Sequence, residues 1–535
     1  MNQTCSGIIL TASKADLTIC EVFGNLSTGL IPVNGKPIIF FILQQMLNNG
    51  IYDLYIGIGY EKENLQNIVN LYFSNKLNIT YIITDQDKGP GNSLLSILKK
   101  VKSNRVIINL GDTYIKNFTY DGFEDSFVVS KDFLSEEKWA TIESKNNTLI
   151  KFRNKEKVNN DNTYAICGLY SLNDIKIFDN FLANGLIEIN DLLEFYNNYK
   201  PLKIHKTLEW LDFGHIDKYY ISKKRLIQSR NFNTLEYDNL LGTITKRSKN
   251  KNKFRAEIQW QLNIPKSLKV LSPRILDYSI SENPFVTMEF YSYPTLAEIW
   301  LFSELNEKIY ISIITKLFKI LQLFKKNKKL VKKSDYINIY INKTLDRVNH
   351  IKNKDILDLF QFNAIIINTK EFQNWDILKE KVFEIVKQFY DKNDNCLIHG
   401  DFCLSNILYD LRSGIVRLID PRGIWGSNAN GDIKYDIAKL RHSICGDYDY
   451  IVNDLFNIEI SKNNIEYTIF NSDKSLIKEY FDKTLSSDYN IKHIKIIEGL
   501  LFLSMIALHN DNTKRQIIMY CKAIELLNEA SETST

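Results

Sequence analysis

Short, wholly apolar runs separated by stretches of helical periodicity mark the first two hundred residues. Ser6–Thr11 (SGIILT), Leu54–Ile58 (LYIGI), Ile79–Ile83 and Val106–Leu110 are runs of this kind, the pattern of strands buried on both faces. Between them, Pro37–Asn49 and Glu61–Phe73 carry apolar residues at helical spacing. Strand and helix alternating at this interval predict a doubly wound α/β domain over residues 1–230. A helix over Ile216–Arg230 closes it. Ligands of such sheets sit beyond the carboxyl ends of the strands.

The rhythm then changes. Leu235–Ser248 reads as two strands around Gly242, with Lys246 near the end of the second, followed by an amphipathic stretch holding Glu257. Leu268–Tyr278 and Pro284–Phe290 read as further strands, so residues 231–298 predict a small α+β lobe. Residues 299–535 form a larger third region: helical periodicity dominates 299–392, as in Ile309–Phe324, and the final 70 residues read as helical. The basic run Thr245–Arg255 and the run Lys325–Lys333 read as solvated faces.

Composition narrows the class. A chain of 535 residues exceeds what one core supports. Its 44% hydrophobic and 12% aromatic content suits packed interiors. A net charge of +5 makes no case for nucleic acid as partner. Seven scattered cysteines without a CxxC pair fit reduced thiols. The N-terminus lacks a basic segment followed by a long apolar one, and the most apolar window, Gly499–Leu508, is far short of a bilayer span. The expectation is a cytoplasmic protein without membrane insertion.

The densest chemistry lies in Cys396–Gly423, CLIHGDFCLSNILYDLRSGIVRLIDPRG. His399, Asp401, Asn406 and Asp420 are the polar residues set among its apolar runs. A carboxylate, an amide five residues on and a second carboxylate at a strand end suit phosphoryl transfer: one acid orients the attacking hydroxyl, and the others hold magnesium against the phosphates. In the first domain, Lys88-Gly-Pro-Gly-Asn-Ser93 is a glycine-rich turn entering a helix, able to bring N–H groups of Lys88, Gly89, Gly91 and Asn92 to an anion or base. Asp112, read as exposed at a strand's C-terminal edge, and Asp212 form a candidate pair for one divalent cation.

The order LIPVNGKPIIFFIL (30–43), GPGNSL, NLGDTYI, ICGLY, EINDLLEFY and EWLDFGH resembles the sugar-phosphate nucleotidyltransferase family across residues 5–225. The resemblance implies a Rossmann-like nucleotidyltransferase-type domain in which Asp112 and Asp212 bind Mg²⁺ between a nucleoside triphosphate and a phosphorylated substrate. The chain departs from that family at the triphosphate loop. It reads LTASKADLTICEVFGNLSTGLIPV, without the glycines, with Leu17 or Thr18 near the family's Arg and Thr28 at its Lys. Lys14 is the cation left in the stretch. Losing two such charges costs transition-state stabilisation.

Residues 235–510 resemble the aminoglycoside phosphotransferase and choline kinase family through HGDFCLSN and LIDPRG. That resemblance implies a bilobal, protein-kinase-like domain using ATP and Mg²⁺. Asp401 would be the catalytic base, Asn406 and Asp420 the metal ligands, Lys246 the residue on the nucleotide phosphates, and Glu257 its holder. The expected activity is phosphorylation of a hydroxyl on a sugar, polyol or amino alcohol. An NDP-activated precursor of capsule or other surface polysaccharide would follow if the first domain is active; otherwise that domain is a binding module beside an active kinase.

Overall fold

The computed structural model describes residues 5–532 except 86–87, 120–123, 134–137, 146–147, 157–161, 183–184, 227–232, 239, 427–428 and 471–472. The chain divides into two compact units, Met1–Ile227 with Phe302–Glu304, and Gln228–Leu301 with Leu305–Thr535.

In the first unit, Arg105–Asn109, Cys5–Leu10, Asp53–Ile58 and Asn78–Ile83 lie side by side and parallel. Ile8 stands opposite both Tyr55 and Ile108. The sheet is mixed, because Thr163–Leu172 pairs antiparallel with Arg105–Asn109 and leads into Ala140–Lys145 and Thr148–Asn154. These antiparallel strands extend the sheet beyond the parallel runs that the sequence marked. Helices Ile38–Asn48, Lys62–Phe73 and Pro90–Leu98 bury one face each. The helix expected to Arg230 runs Ile216–Leu226, and 227–230 lie outside the described residues.

The second unit opens with an antiparallel sheet in the order Asn233–Asp238, Thr243–Ser248, Phe285–Glu289, Ile275–Ser279. Helix Lys251–Asn263 covers it through Phe254 and Ile258, which pack on Val286 and Met288. The stretch 268–278 is not one strand: Lys266–Leu271 forms a 3₁₀ turn after Pro265, and the strand starts at Ile275. Long helices follow, Glu307–Lys326, Trp375–Gln388, Ile433–Ile444, Ile491–Ile506 and Thr513–Ser531. They are interrupted by a second sheet, Lys370–Gln373, Ala364–Ile367, Asn464–Ile469 and Phe456–Ser461. None of those four strands was expected: the readings over 299–392 and the final 70 residues were helical, and Phe456–Ser461 lies outside both. No helix among the described residues is long and apolar enough to cross a membrane.

Candidate functional site

The loop after strand Asn395–Leu397 carries His399, Gly400 and Asp401. Asp436, on the buried helix Ile433–Ile444, accepts the backbone N–H groups of His399 (2.7 Å) and Gly400 (2.8 Å), and Trp260 Nε1 donates to the Ile398 carbonyl at 2.8 Å. These bonds set the loop's path, while Asp432 caps the helix through the Lys434 N–H. Gly400 has φ +77°, and a Cβ there would lie 2.7 Å from Arg422 Cβ, so the residue before the acid must be glycine. His399 is 1% exposed, and burial pushes its imidazole down to about 4; it is a neutral packing residue between Trp260 and Phe402.

Asp401 faces solvent on one side, its side chain 41% exposed, and pairs with Lys439 Nζ at 2.9 Å. Burial opposes its ionisation, but Lys439, by charge and hydrogen bond, and Arg422 hold the carboxyl well below the usual carboxylate range. Asn406 Nδ2 donates to the Asp401 carbonyl and to its Oδ2, both at 3.0 Å. That bidentate use of the amide nitrogen turns the carbonyl end of Asn406 away from Asp401.

Asp420 follows strand Val416–Leu418 in the left-handed region, φ +55°. Lys246 Nζ bridges Glu257 Oε1 (2.6 Å) and Asp420 Oδ1 (2.8 Å). Burial lifts the Glu257 carboxyl to about 7 despite the lysine beside it. Burial works against the Lys246 ammonium too, yet Asp420 and Glu257 keep its pKa raised. Gly423 explains how the two segments meet: at φ +75°, a Cβ would lie 2.3 Å from the Ala256 carbonyl carbon and 2.6 Å from the Glu257 nitrogen. Lys246, Glu257 and Asp420, far apart in sequence, are thus joined, and Asp401 is joined to Asn406.

In the first unit, Trp210–Asp212 pairs antiparallel with Thr113–Ile115, setting Asp212 opposite Thr113. Phe213 N–H donates to the Asp112 carbonyl at 2.9 Å, and a Cβ on Gly214 would strike Asp112 Oδ2 at 2.2 Å. Asp112 is half-buried, which corrects the exposed reading: Gly111, whose Cβ would meet the Leu10 carbonyl oxygen at 2.3 Å, draws it over the first strand. Burial, then the charge of Asp212, raise its carboxyl to about 7. Asp212 accepts from Gly214 N (2.9 Å), Trp139 Nε1 (2.9 Å) and His215 Nδ1 (2.8 Å). Burial disfavours the His215 imidazolium, but Asp212 and Asp112 hold its pKa above the usual value.

The glycine-rich turn departs from its expected use. Gly91 N–H donates to the Ile187 carbonyl at 3.0 Å, and Asn92 Nδ2 donates to the carbonyls of Lys88 (2.6 Å) and Gly185 (3.2 Å). A Cβ on Gly91 would lie 2.5 Å from the Ile187 oxygen. Gly91 and Asn92 therefore bind this turn to 185–188. Gly89 (φ +84°) makes the turn, and Lys88, 68% exposed, pairs with Asp85 at 3.3 Å. Where the related family carries its triphosphate loop stands a helix, Leu17–Phe23, capped by Asp16, which accepts the Thr18 N–H at 2.9 Å. Thr28 donates to the Ser13 carbonyl at 2.9 Å, and Lys14 is exposed, 5.7 Å from the Tyr60 ring centre.

Metal fit follows from donor chemistry. No group of three or more His, Cys, Asp or Glu among the described residues forms a metal site. The pairs Asn406–Asp420 and Asp112–Asp212 offer hard oxygens, fitting Mg²⁺ that takes its remaining ligands from substrate phosphates and water. The charge of Asp212, which adds to burial in raising Asp112, is of the kind a divalent cation offsets.

No protein-family model matches the chain. Among curated proteins, the bifunctional protein GlmU of Methanococcus maripaludis is 27% identical over 217 residues, 39% of this chain and 51% of its own. The D-glycero-alpha-D-manno-heptose 1-phosphate guanylyltransferase of Campylobacter jejuni is 26% identical over 213 residues, 37% of this chain and 90% of its own. The N-terminal region resembles sugar-phosphate nucleotidyltransferases. The chain spans about half the length of the GlmU relatives it matches. Among solved structures, HddC from Yersinia pseudotuberculosis complexed with GMP-PN shares 15% identity over 42% of this chain and 99% of that one, at a TM-score of 0.33, on which no argument rests.

Sequence reasoning missed Asp16, Trp139 and His215 beside the first acid pair, Lys439 beside Asp401, and Tyr435 with its neighbour Lys343. A signal existed for Lys439: in Asp436-Ile-Ala-Lys439 it lies three residues after a buried acid on one helix.

Proposed function

We propose that the second unit transfers the γ-phosphoryl group of ATP to a hydroxyl of a small molecule. The observation that carries the reading is the Lys246 ammonium held between Glu257 (2.6 Å) and Asp420 (2.8 Å), in the same unit as the Asp401–Asn406 pair. Lys246 would meet the nucleotide phosphates. Asp401, kept ionised by Lys439, would accept the acceptor's proton. The acceptor oxygen bonds to the γ-phosphorus as the bond to the bridging oxygen breaks, and that electron pair leaves with ADP. Asn406 and Asp420 would hold Mg²⁺, which when bound neutralises charge on the phosphates. The test uses the full chain with ATP, Mg²⁺ and a panel of sugars, polyols and amino alcohols. ADP release should fall about 10²–10⁴-fold in Asp401→Asn, and undiminished release would sink the assignment of the base.

For the first unit, the resemblance to sugar-phosphate nucleotidyltransferases and the Asp112–Asp212 pair support coupling of the phosphorylated product to a nucleotide, giving an activated precursor for surface polysaccharide. A second reading, binding without transfer, is favoured by the helix Leu17–Phe23, whose Asp16 cap sets an anion beside the positions where triphosphate-binding cations are expected. Release of pyrophosphate from CTP, UTP, GTP or ATP with a panel of sugar phosphates separates the two.

A further inference from the structure

Beside Asp401 lies a group of cations that the phosphoryl-transfer reading does not use. Lys343 and Arg347 stand one turn apart on helix Lys343–Asn349. Arg422 follows Asp420 by two residues, and its Nη1 donates to the Tyr435 hydroxyl at 2.5 Å. The Arg422 guanidinium and the Lys343 ammonium lie 5.6 and 5.8 Å from the Tyr435 ring centre. Lys439, on the same helix as Tyr435, is taken by Asp401 at 2.9 Å. Asp436 is spent on the backbone of His399 and Gly400.

Among the described residues, Lys343 and Arg422 have the Tyr435 ring and hydroxyl as their near neighbour, and Arg422 adds only a longer-range attraction to the Asp401 carboxylate that Lys439 already pairs. The deficit is visible in the groups themselves. Burial, then the charges of Arg422, Lys439 and Arg347, push Lys343 down to about 8, although Tyr435 works the other way. Half-buried cations that outnumber the one phenol among them are costly unless something anionic completes them. Arg422 acts on the Asp401 carboxylate and shares Tyr435 with Lys343, which sets the group on the Asp401 side, where the acceptor would bind, while Lys246 pairs with Asp420.

We propose that the acceptor is itself an anion, a hydroxylated small molecule whose phosphate or carboxylate is held by Lys343, Arg347 and Arg422 while its hydroxyl lies on Asp401. This deepens the phosphoryl-transfer reading and rests on it. Arg422 offers a planar fork matched to either group, and Lys343 and Arg347 add charge from the facing helix. An amino alcohol, bearing its own cation, would be repelled.

The test measures ADP release by the full chain on matched skeletons: glycerol, glycerate and glycerol 3-phosphate; glucose, gluconate and glucose 6-phosphate; and ethanolamine. The anionic members should exceed their neutral counterparts in kcat/KM by about 100-fold or more, and the carboxylate and phosphate arms tell which anion is recognised. Lys343→Gln and Arg347→Gln should each shrink the anionic-to-neutral ratio about tenfold. A folding defect lowers both members of the ratio and leaves it unmoved. Preference for neutral or cationic acceptors, or a ratio the variants do not change, overturns the anionic acceptor and leaves phosphoryl transfer standing. ADP release from none of them overturns both.

Discussion

The phenol of Tyr435 ionises where an ordinary tyrosine would not. Burial alone would raise its pKa, but Arg422, Lys343 and Lys439 outweigh that and bring it to about 7, from 10.0 in the unfolded chain. A phenol is serving as counter-ion because the carboxylates nearby are already committed. Because the folded value is the lower one, ionisation of Tyr435 adds stability that is complete above pH 10, shrinks as pH falls, and is gone below pH 7. The stability gap between wild type and Tyr435→Phe should therefore widen from pH 7 to 10. Absorbance at 295 nm should show one tyrosinate titrating near pH 7, absent from the variant. A wild type without that transition would mean the cations are neutralised by something other than the phenol. The candidate residues that sequence spacing singled out here, Asp401, Asn406 and Asp420, fall within twenty positions of one another. Lys343 and Tyr435 are ninety positions apart, and no local pattern couples a helix-surface lysine to a buried phenol.

Elements with one continuous periodicity were legible, and those assembled from fragments were not. Three of the four parallel strands of the first unit, Cys5–Leu10, Asp53–Ile58 and Arg105–Asn109, announce themselves because burial on both faces leaves a near-continuous apolar run. Helix Leu17–Phe23 is seven residues with β-branched positions, too short for a period to repeat; its Asp16 cap was the available signal. In the second unit, Ala364–Ile367 is four residues ahead of a two-residue turn, Asn368 and Thr369, both at positive φ. That turn chemistry marks a hairpin, as does the period-2 alternation of Asn464–Ile469, yet the helices on either side masked both. The parallel pairing Ile367↔Ile465 joins segments about a hundred residues apart, which sequence cannot display. Ile465 is fully buried, so Ile465→Ala should cost about 2–4 kcal/mol. Urea denaturation followed by tryptophan fluorescence would measure it, and a loss under 1 kcal/mol would mean this sheet is not part of the unit's cooperative core.

At the scale of the molecule, each proposed reaction draws its residues from one unit. Asp112, Asp212 and His215 belong to the first, and Lys246, Glu257, Asp401, Asn406 and Asp420 to the second. Chemistry partitioned this way predicts separable losses. Asp401→Asn should remove ADP release yet keep pyrophosphate release, and Asp112→Ala should do the reverse. A chain in which either substitution removes both activities has one active centre, not two. The first unit is the harder case, since Leu17 or Thr18, behind the Asp16 cap, and the hydrogen-bonded Thr28 stand where triphosphate-binding cations are expected. Should no nucleotide yield pyrophosphate, binding remains measurable independently of turnover. A nucleotide at 100 times its Kd stabilises the unit that binds it by about 2.7 kcal/mol. Mg²⁺·ATP should do so in the Asp401→Asn chain, because Lys246, Glu257 and Asp420 are untouched there. In the Lys246→Met chain the same addition should give far less, since the ammonium that meets the phosphates is gone while the apolar stem that packs near Phe254 is kept. Equal stabilisation of the two variants would place ATP away from Lys246 and leave Asp401 without its phosphoryl donor.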